Sequence, residues 1–232
     1  MNLYVGTSGF SYNEWKGSFY PKEISNEQML RFYGERFRSV EINYTFSRMP
    51  NAPLLEGWAE KVPAEFKFVL KAPKQITHIL RLKNTHKVLS LLLEVSSALK
   101  DRLGPLLFQL PPYLKKDTPL LREFIALLPP HRPSAFEFRH ESWFDGDVFA
   151  LLRQHGSALC IAEAEDGIEV PFVSTANWGY IRLRRADYGD VELRDWVKKV
   201  YDQNWRDAFV FFRHEDEGKG PKLAKRFLEL AG

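Results

Sequence analysis

Charged and amide side chains end a series of short apolar segments that runs along the whole chain. These residues are Glu41 and Asn43 in VEIN, Lys71 in FKFVLK, Gln109 in LLFQL, Glu137 and Arg139 in AFEFR, Arg182 and Arg184 in YIRLR, and Arg213 and His214 in VFFRH. Two carboxylates in unequal surroundings can divide the roles of proton donor and proton acceptor, and cations can stabilise developing charge. The pattern predicts one polar site with acid–base chemistry, provided that the fold brings the segments together.

The order of residue types within the segments predicts strands with two different faces. In AFEFR, Phe136 and Phe138 share one face, while Glu137 and Arg139 share the other. One face fits a hydrophobic core, and the other fits a polar site. Long stretches with helical patterns separate the segments, and strands that are joined in this way form a parallel sheet.

Eight such strands predict an α/β fold, a single (β/α)8 TIM-type barrel with parallel strands inside and helices outside. The strands are residues 3–6, 40–43, 66–71, 106–110, 135–138, 159–162, 180–183 and 208–212. The functional residues of such barrels gather at the carboxyl ends of the strands. An open doubly wound sheet is the alternative, but GTSGFS lacks the spacing of a dinucleotide fingerprint, so no nucleotide cofactor is predicted.

Helix signals lie between the predicted strands. The clearest is residues 85–103, where apolar residues recur at helical spacing and Gly104 is expected to end the helix. Ser25 stands three residues before Gln28, which is a capping-box arrangement, and Pro221 opens an amphipathic helix that closes the chain.

Length and composition predict one domain over residues 1–232. The chain has 232 residues, of which 44% are hydrophobic, and its net charge of +3 is too small to indicate a nucleic-acid or membrane surface. The single cysteine, Cys160, lies in the apolar run ALCIA and is expected to be a buried hydrophobe. With no secretory signal and no apolar run of ~18 residues, we expect a soluble, cytoplasmic protein.

Several motifs together resemble the YecE-like family, domain of unknown function seventy-two. They are GTSGFSYNEWKGSFYP, VEINYTFSRMP, FKFVLKAPKQITH, GPLLFQLPP, AFEFRHESWF, YIRLRRADYG and FFRHEDEGKGPKLA. The resemblance implies a TIM-type barrel without an established activity. It also implies a polar rim made of Thr7, Ser8, Glu41, Asn43, Lys71, His78, Gln109, Glu137, Arg139, His140 and Trp143. Ser47 and Arg184 depart from the family pattern, which more often has an aromatic residue and a histidine there.

The two carboxylates predict the chemistry of the site. Glu137 is expected to act as the principal acid or base with Glu41 as its partner, while Lys71 and Arg139 stabilise charge. A separation of about 5–5.5 Å between the carboxyl groups would fit a retaining glycosidase mechanism, and about 6.5–9.5 Å an inverting one. In the structural alternative, Glu41 pairs with Lys71, and Glu137 pairs with Arg139 or Arg182.

Lysine and histidine side chains leave further chemistries open. Lys71 can form a Schiff base if its pKa is lowered, or it can pair with charges and orient a substrate. His78, His140 and His214 can relay protons, or they can join Glu41, Glu137 and Glu163 as ligands of a divalent metal. No close metal-binding spacing supports the metal, so no cofactor is predicted.

Arginines and aromatic residues predict how a ligand binds. Arg182, Arg184 and Arg213 precede glycines and the last helix, an arrangement that can bind phosphate, although salt bridges to Asp187, Glu215 or Asp216 are the alternative. Trp15 and Trp143 can stack on sugar rings or bases, or can pack the first loop onto the barrel.

The sequence thus predicts a small-molecule enzyme, a hydrolase, lyase or isomerase, that acts on a sugar-like or phosphorylated substrate. The alternatives are a metal-dependent hydrolase or isomerase, and a non-catalytic metabolite or nucleic-acid binding module. The expected partner is a small, anionic ligand rather than nucleic acid or a membrane.

Overall fold

The computed structural model describes residues 1–130, 132–163, 168–185, 187–213 and 217–232, and its centre is an eight-stranded parallel sheet. The strands are β1 (Asn2–Thr7), β2 (Ser39–Ile42), β3 (Lys67–Lys71), β4 (Leu103–Gln109), β5 (Ser134–Glu137), β6 (Ala158–Ala162), β7 (Trp178–Leu183) and β8 (Asp207–Phe212). Their order is β1-β8-β7-β6-β5-β4-β3-β2. A parallel bridge between Ser8 and Glu41 brings β1 against β2, so the sheet forms a nearly closed barrel. The predicted (β/α)8 barrel and its eight strands are confirmed.

Helices surround the barrel. They are α1 (Asn26–Gly34), α2 (Tyr44–Ser47), α3 (Ala52–Ala59), α4 (His86–Ser96), α5 (Thr118–Ile125), α6 (Gly146–His155), α7 (Asp190–Tyr201) and α8 (Lys219–Ala231). The predicted capping box of α1 is present, because the Ser25 N–H donates to Gln28 Oε1 at 3.2 Å. In the parts of the chain that the structure describes, every helix is too short or too polar to cross a bilayer.

The helix predicted at residues 85–103 is wrong in its second half. Helix α4 ends at Ser96, and a 3-10 segment (Ser97–Arg102) follows in which Lys100 has a φ of 50°. The chain must leave the helix there because Leu103 already pairs with Phe68 of β3. Gly104, which was expected to end the helix, lies inside β4. Residues 168–177, the described part of the connection from β6 to β7, contain no helix.

Two apolar clusters confirm the predicted faces of the strands. Ile181 and Leu183 of β7 pack in the large cluster that includes residues of the outer helices, whereas Tyr180 belongs to a second cluster inside the barrel. Cys160 lies in this inner cluster and is buried, as predicted. Side chains such as Phe209 fill the inner cluster, and Arg182, two residues after Tyr180, points to the same inner face.

The hydroxyl group of Tyr33 joins β1 to β2 where the sheet closes. It accepts a hydrogen bond from the Thr7 N–H at 2.8 Å and donates to the Ser39 carbonyl at 3.1 Å. Thr7 is fully buried in this seam, and its own hydroxyl donates to the Gly9 carbonyl at 2.6 Å. The polar atoms of Thr7, which was predicted to bind substrate, thus take part in the closure of the barrel.

Candidate active site

Arg182 of β7 joins Glu41 and Glu137 across the carboxyl-terminal mouth of the barrel. Its Nη1 donates to Glu137 Oε2 at 2.5 Å, and its Nη2 donates to Glu41 Oε1 at 2.8 Å. The exposed fractions are 0% for Glu41, 1% for Glu137 and 4% for Arg182. Because all three charges are removed from water, each of them depends on the others for compensation.

Two hydroxyl groups complete the surroundings of Glu41. Ser8, directly after β1, donates to Glu41 Oε1 at 2.8 Å, and Tyr180 donates to Oε2 at 2.6 Å. Burial and the nearby carboxylate of Glu41 raise the pKa of Tyr180, so this phenol stays protonated and can donate. Glu41 is thus held by groups from strands on both sides of the barrel.

Glu137, at the end of β5, accepts hydrogen bonds from several cationic and amide groups. Gln109 Nε2 lies 2.8 Å from Oε1, Arg139 Nε lies 3.0 Å from it, and Arg184 Nη1 lies 3.6 Å away. Burial alone would raise the pKa of Glu137, but the cations, with Arg182 first, outweigh burial and lower that pKa to about 2. Glu137 is therefore ionised at neutral pH, and a role as proton donor does not fit this ionisation.

Lys71 is the last residue of β3 and enters the same mouth. Its Nζ lies 4.0 Å from the centre of the Phe46 ring, and no ion pair to this ammonium group occurs among the described residues. Burial and then the positive charge of Arg182 lower the pKa of Lys71 to about 8, although Glu137 and Glu41 act in the opposite direction. Of the pairs in the structural alternative, Glu41–Lys71 does not form because Arg182 lies beside Glu41, whereas Glu137 pairs with both Arg139 and Arg182.

His78 lies at the rim and His140 caps a turn. His78 lies edge-on to Phe46 at 5.0 Å, and burial, Lys71 and Arg139 lower its pKa. His140 Nδ1 accepts the Ser142 N–H at 3.2 Å and so caps the 3-10 segment Glu141–Trp143. His78 is therefore linked electrostatically to Lys71 and Arg139 of the charged cluster.

The structure buries both tryptophans that were predicted to contact substrate. Trp15 is fully buried against Tyr20 and Phe19, with ring centres 6.0 and 5.8 Å apart. Trp143 is also fully buried, stacks on Phe138 at 4.8 Å and donates its Nε1–H to the Leu114 carbonyl at 2.7 Å. Both rings pack the loops onto the barrel, which is the alternative that the sequence left open.

The remaining predicted ligand groups lie around the end of β2 and the ends of β7 and β8. Asn43 follows β2, and its Oδ1 is buried without a hydrogen-bond partner among the described residues. The Arg213 N–H donates to the Leu183 carbonyl at 3.0 Å, which fixes its backbone at the rim. His214 lies outside the described residues, as do Glu215 and Asp216.

In the described part of the chain, no group of three or more His, Cys, Asp or Glu side chains is arranged to hold a metal ion.

Sequence reasoning missed Tyr180 and the bridging position of Arg182. The alternation in WGYIRL puts Tyr180 on the same face as Arg182, so the pattern contained the signal for Tyr180. The bridge had no local signal, because 141 positions separate Arg182 from Glu41.

Known proteins with similar sequences and structures give the chain a family context. The family model described as "Protein of unknown function DUF72" matches residues 4–232. The UPF0759 protein YunF of Bacillus subtilis is 25% identical over 98% of this chain and 94% of its own length. The UPF0759 protein YecE of Escherichia coli K12 is 27% identical over 61% of this chain and 50% of its own length. The crystal structure of a DUF72 protein from Thermotoga maritima superposes with a TM-score of 0.81 at 26% identity and covers 99% of both chains.

Proposed function

The chain belongs to the DUF72 family, whose function is unknown, and we propose that it is a small-molecule enzyme. In this proposal the residues at the barrel mouth bind an anionic substrate, and Lys71 transfers a proton. This proposal keeps the predicted location of the site and the predicted class of substrate. It changes the roles within the site, because Lys71 replaces Glu137 as the principal acid–base group.

The observation that carries the proposal is the excess of positive charge around Glu137. Arg182, Arg139, Arg184 and Lys71 all act on its carboxylate, and Glu41 is the second carboxylate of the cluster. Four cations and two carboxylates leave an excess of two positive charges among these described side chains. Such an excess in a partly desolvated cavity attracts a small anion.

Arg139 and Arg184 are the cations that can reach such an anion. Their side chains are 27% and 22% exposed, whereas the side chain of Arg182 is 5% exposed and is engaged with both carboxylates. A guanidinium group offers five donors in a fixed fork, so Arg184, whose Nη1 lies 3.6 Å from Glu137 Oε1, has donors that can bind a phosphate or a carboxylate, and Arg139 adds a partly exposed positive charge beside it. We therefore assign Arg139 and Arg184 to substrate binding.

Lys71 has the properties of a general base in this setting. With a pKa of about 8, about a tenth of its side chains are neutral at pH 7, and a neutral amine can take a proton from carbon or oxygen. The negative charge that then develops on the substrate would lie among the arginines, which would stabilise it. The reaction class that fits is proton abstraction beside a carboxylate or carbonyl group, as in an isomerase or a lyase.

The arrangement of Arg182 speaks against a glycosidase with two catalytic carboxylates. Its guanidinium group lies between Glu41 and Glu137 and bonds to both, so it occupies the space that a sugar ring would need. The ionised state of Glu137 adds to this argument. The metal-dependent enzyme and the non-catalytic binding module stay predictions.

Phosphate binding tests the anion site. The variant Arg139→Gln/Arg184→Gln should bind inorganic phosphate at least about tenfold more weakly than the wild type, because one hydrogen bond to a charged group contributes roughly 1.5–3 kcal/mol. Isothermal titration calorimetry at low ionic strength measures the affinity. Arg206→Gln is the matched control, since Arg206 is exposed at the opposite end of the barrel beside Asp207. Equal affinities of the double variant and the wild type, or no binding by the wild type, would contradict the proposal.

A further inference from the structure

A cleft of about 400 Å³ opens between the loop after β1, the start of α1 and the end of β2. We call it the ring cleft, the space lined by Phe10, Tyr44, Trp58 and Asn43. Its size falls within the range of small-molecule pockets, about 300–1,000 Å³, which combine aromatic walls with a few polar groups. The mechanism proposed for the barrel mouth does not use it.

Three aromatic rings form walls of the ring cleft. The ring of Phe10 stands at 88° to that of Trp58, and the ring of Tyr44 stands at 76° to it, with centres 6.2 and 6.4 Å apart. Trp58 is supported from behind by Phe68, on which it stacks at 6.0 Å. Tyr44 is 45% exposed, so a large apolar surface remains in water. Rings that meet at right angles leave faces and edges free for another ring.

The backbone of one wall is fixed before any ligand arrives. Gly9 has a φ of 93°, which favours glycine, and its N–H donates to the Glu41 carbonyl at 2.7 Å. The Tyr20 hydroxyl donates to the Phe10 carbonyl at 2.5 Å. The main chain that carries Phe10 is therefore fixed, and its ring packs against Trp58 and Tyr33, so little order has to be gained when a ligand binds.

The polar groups of the ring cleft fit a neutral guest with a hydrogen-bonding edge. Glu27 and Lys61 line the cleft with opposite charges, so neither an anion nor a cation is favoured. Asn43 contributes an Oδ1 that accepts no hydrogen bond from the described residues. This oxygen has almost no exposed surface, so a ring N–H or O–H reaches it only when the Asn43 side chain turns toward the cleft; that bond would then satisfy an otherwise unpaired acceptor. A heteroaromatic ring has both the flat faces and this edge.

The short helix α2 connects the ring cleft to the barrel mouth. It begins with Tyr44, which lines the cleft, and two residues later it carries Phe46, which contacts the ammonium group of Lys71. Asn43 lies two residues after Glu41. A ligand that binds in both regions therefore has to extend from the end of β2 past Lys71 to Arg139 and Arg184, which follow β5 and β7.

We propose that the ring cleft binds a planar heteroaromatic ring, and that this ring and the anion bound at the mouth belong to one ligand. The second part of this inference rests on the proposed function, because it needs an anion at Arg139 and Arg184. The first part stands on the cleft alone. The substrate class is thus an anion that carries a heteroaromatic group, as a nucleoside monophosphate does.

Titrations with three kinds of probe test the ring site and the shared ligand separately. Inorganic phosphate probes the mouth, the neutral molecules adenosine, uridine and indole probe the ring cleft, and adenosine and uridine 5′-monophosphates probe both. The test variant is Tyr44→Ser, because Tyr44 is exposed and its removal leaves the core intact. Tyr201→Ser is the matched control, since Tyr201 is 51% exposed and lies on α7.

At least one neutral ring should bind the wild type and the Tyr201→Ser control, and should bind Tyr44→Ser about tenfold more weakly. Phosphate affinity should be the same in all three proteins, and the matching monophosphate should bind more tightly than phosphate only where Tyr44 is present.

If no neutral ring distinguishes Tyr44→Ser from the control, the ring site is wrong. If rings bind as expected but phosphate does not, the proposed anion site is wrong and the ring site stands. If both bind but the monophosphate gains nothing, the two sites serve different ligands.

Discussion

The variant Arg182→Met is expected to be less stable than the wild type by about 3–5 kcal/mol, because two buried carboxylates lose their shared cation. Glu41 and Glu137 are almost completely buried, and Arg182 is the one side chain among the described residues that bonds to both of them. Methionine has a similar volume and adds no charge, so the loss reports the missing charge rather than a cavity. Urea unfolding at pH 7 measures the difference.

Two further variants identify the cause of this loss. Arg182→Met/Glu41→Gln/Glu137→Gln should recover part of the lost stability, because no carboxylate is then buried without its cation, while the more exposed Arg139 and Arg184 keep their charges. Arg226→Met should change the stability far less, since Arg226 also binds two carboxylates, those of Asp190 and Glu229, but at the surface, where water screens the charges. A value for Arg182→Met that matches the value for Arg226→Met would contradict the central position of Arg182.

Acetylation of Lys71 is expected to rise with pH around a midpoint of about 8. At pH 7 a lysine with a pKa of about 8 has roughly 200-fold more neutral amine than one with the ordinary value, and the neutral amine is the reactive form. The rate for each lysine can be followed by mass spectrometry of a partially acetylated sample. Lys198 is a suitable internal control, because its hydrogen bond to Asp202 raises its pKa and its side chain is 74% exposed.

The lowered pKa of Lys71 determines whether stability and activity rise or fall with pH. Between pH 8 and 10.5 the folded protein binds fewer protons at Lys71 than the unfolded chain does, so the contribution of Lys71 to stability rises with pH in this window. A reaction that uses neutral Lys71 should accelerate as the pH rises through about 8 and should be lost in Lys71→Met. Acetylation of Lys71 with the same midpoint as Lys198 would contradict a perturbed lysine.

The faces of the strands could be predicted from the sequence, because alternation is a local property of the chain. Glu41, Glu137 and Arg182 were each predicted at the inner face near the ends of their strands, and each of them lies there. The pairing of Glu137 with Arg182 was among the alternatives, but the pairing of Glu41 with Arg182 was not predicted. Whether Glu41 meets Lys71 or Arg182 depends on how the closed barrel orients side chains that are distant in the sequence.

Residue type was a weaker guide than strand position. The sequence around a tryptophan near a barrel mouth looks the same whether the ring packs in the core or stacks on a ligand. Trp15 and Trp143 both pack in the core. Thr7 follows the pattern of a polar strand end, yet its atoms close the seam with Tyr33. The end of α4 was mispredicted because the helical spacing of apolar residues continues beyond Ser96, while strand pairing at Leu103 determines where the helix has to stop.

The pKa of Lys71 with and without phosphate tests the account most directly. It can be followed by NMR on protein with 13C-labelled lysine, with Lys71→Met used to assign the signal. We expect a Lys71 pKa of about 8 in the free protein, because burial and Arg182 lower it. We also expect a higher pKa with bound phosphate, since a nearby anion favours the ammonium form, and no increase at the same phosphate concentration in Arg139→Gln/Arg184→Gln. A pKa near 10.4 that phosphate leaves unchanged would contradict the account.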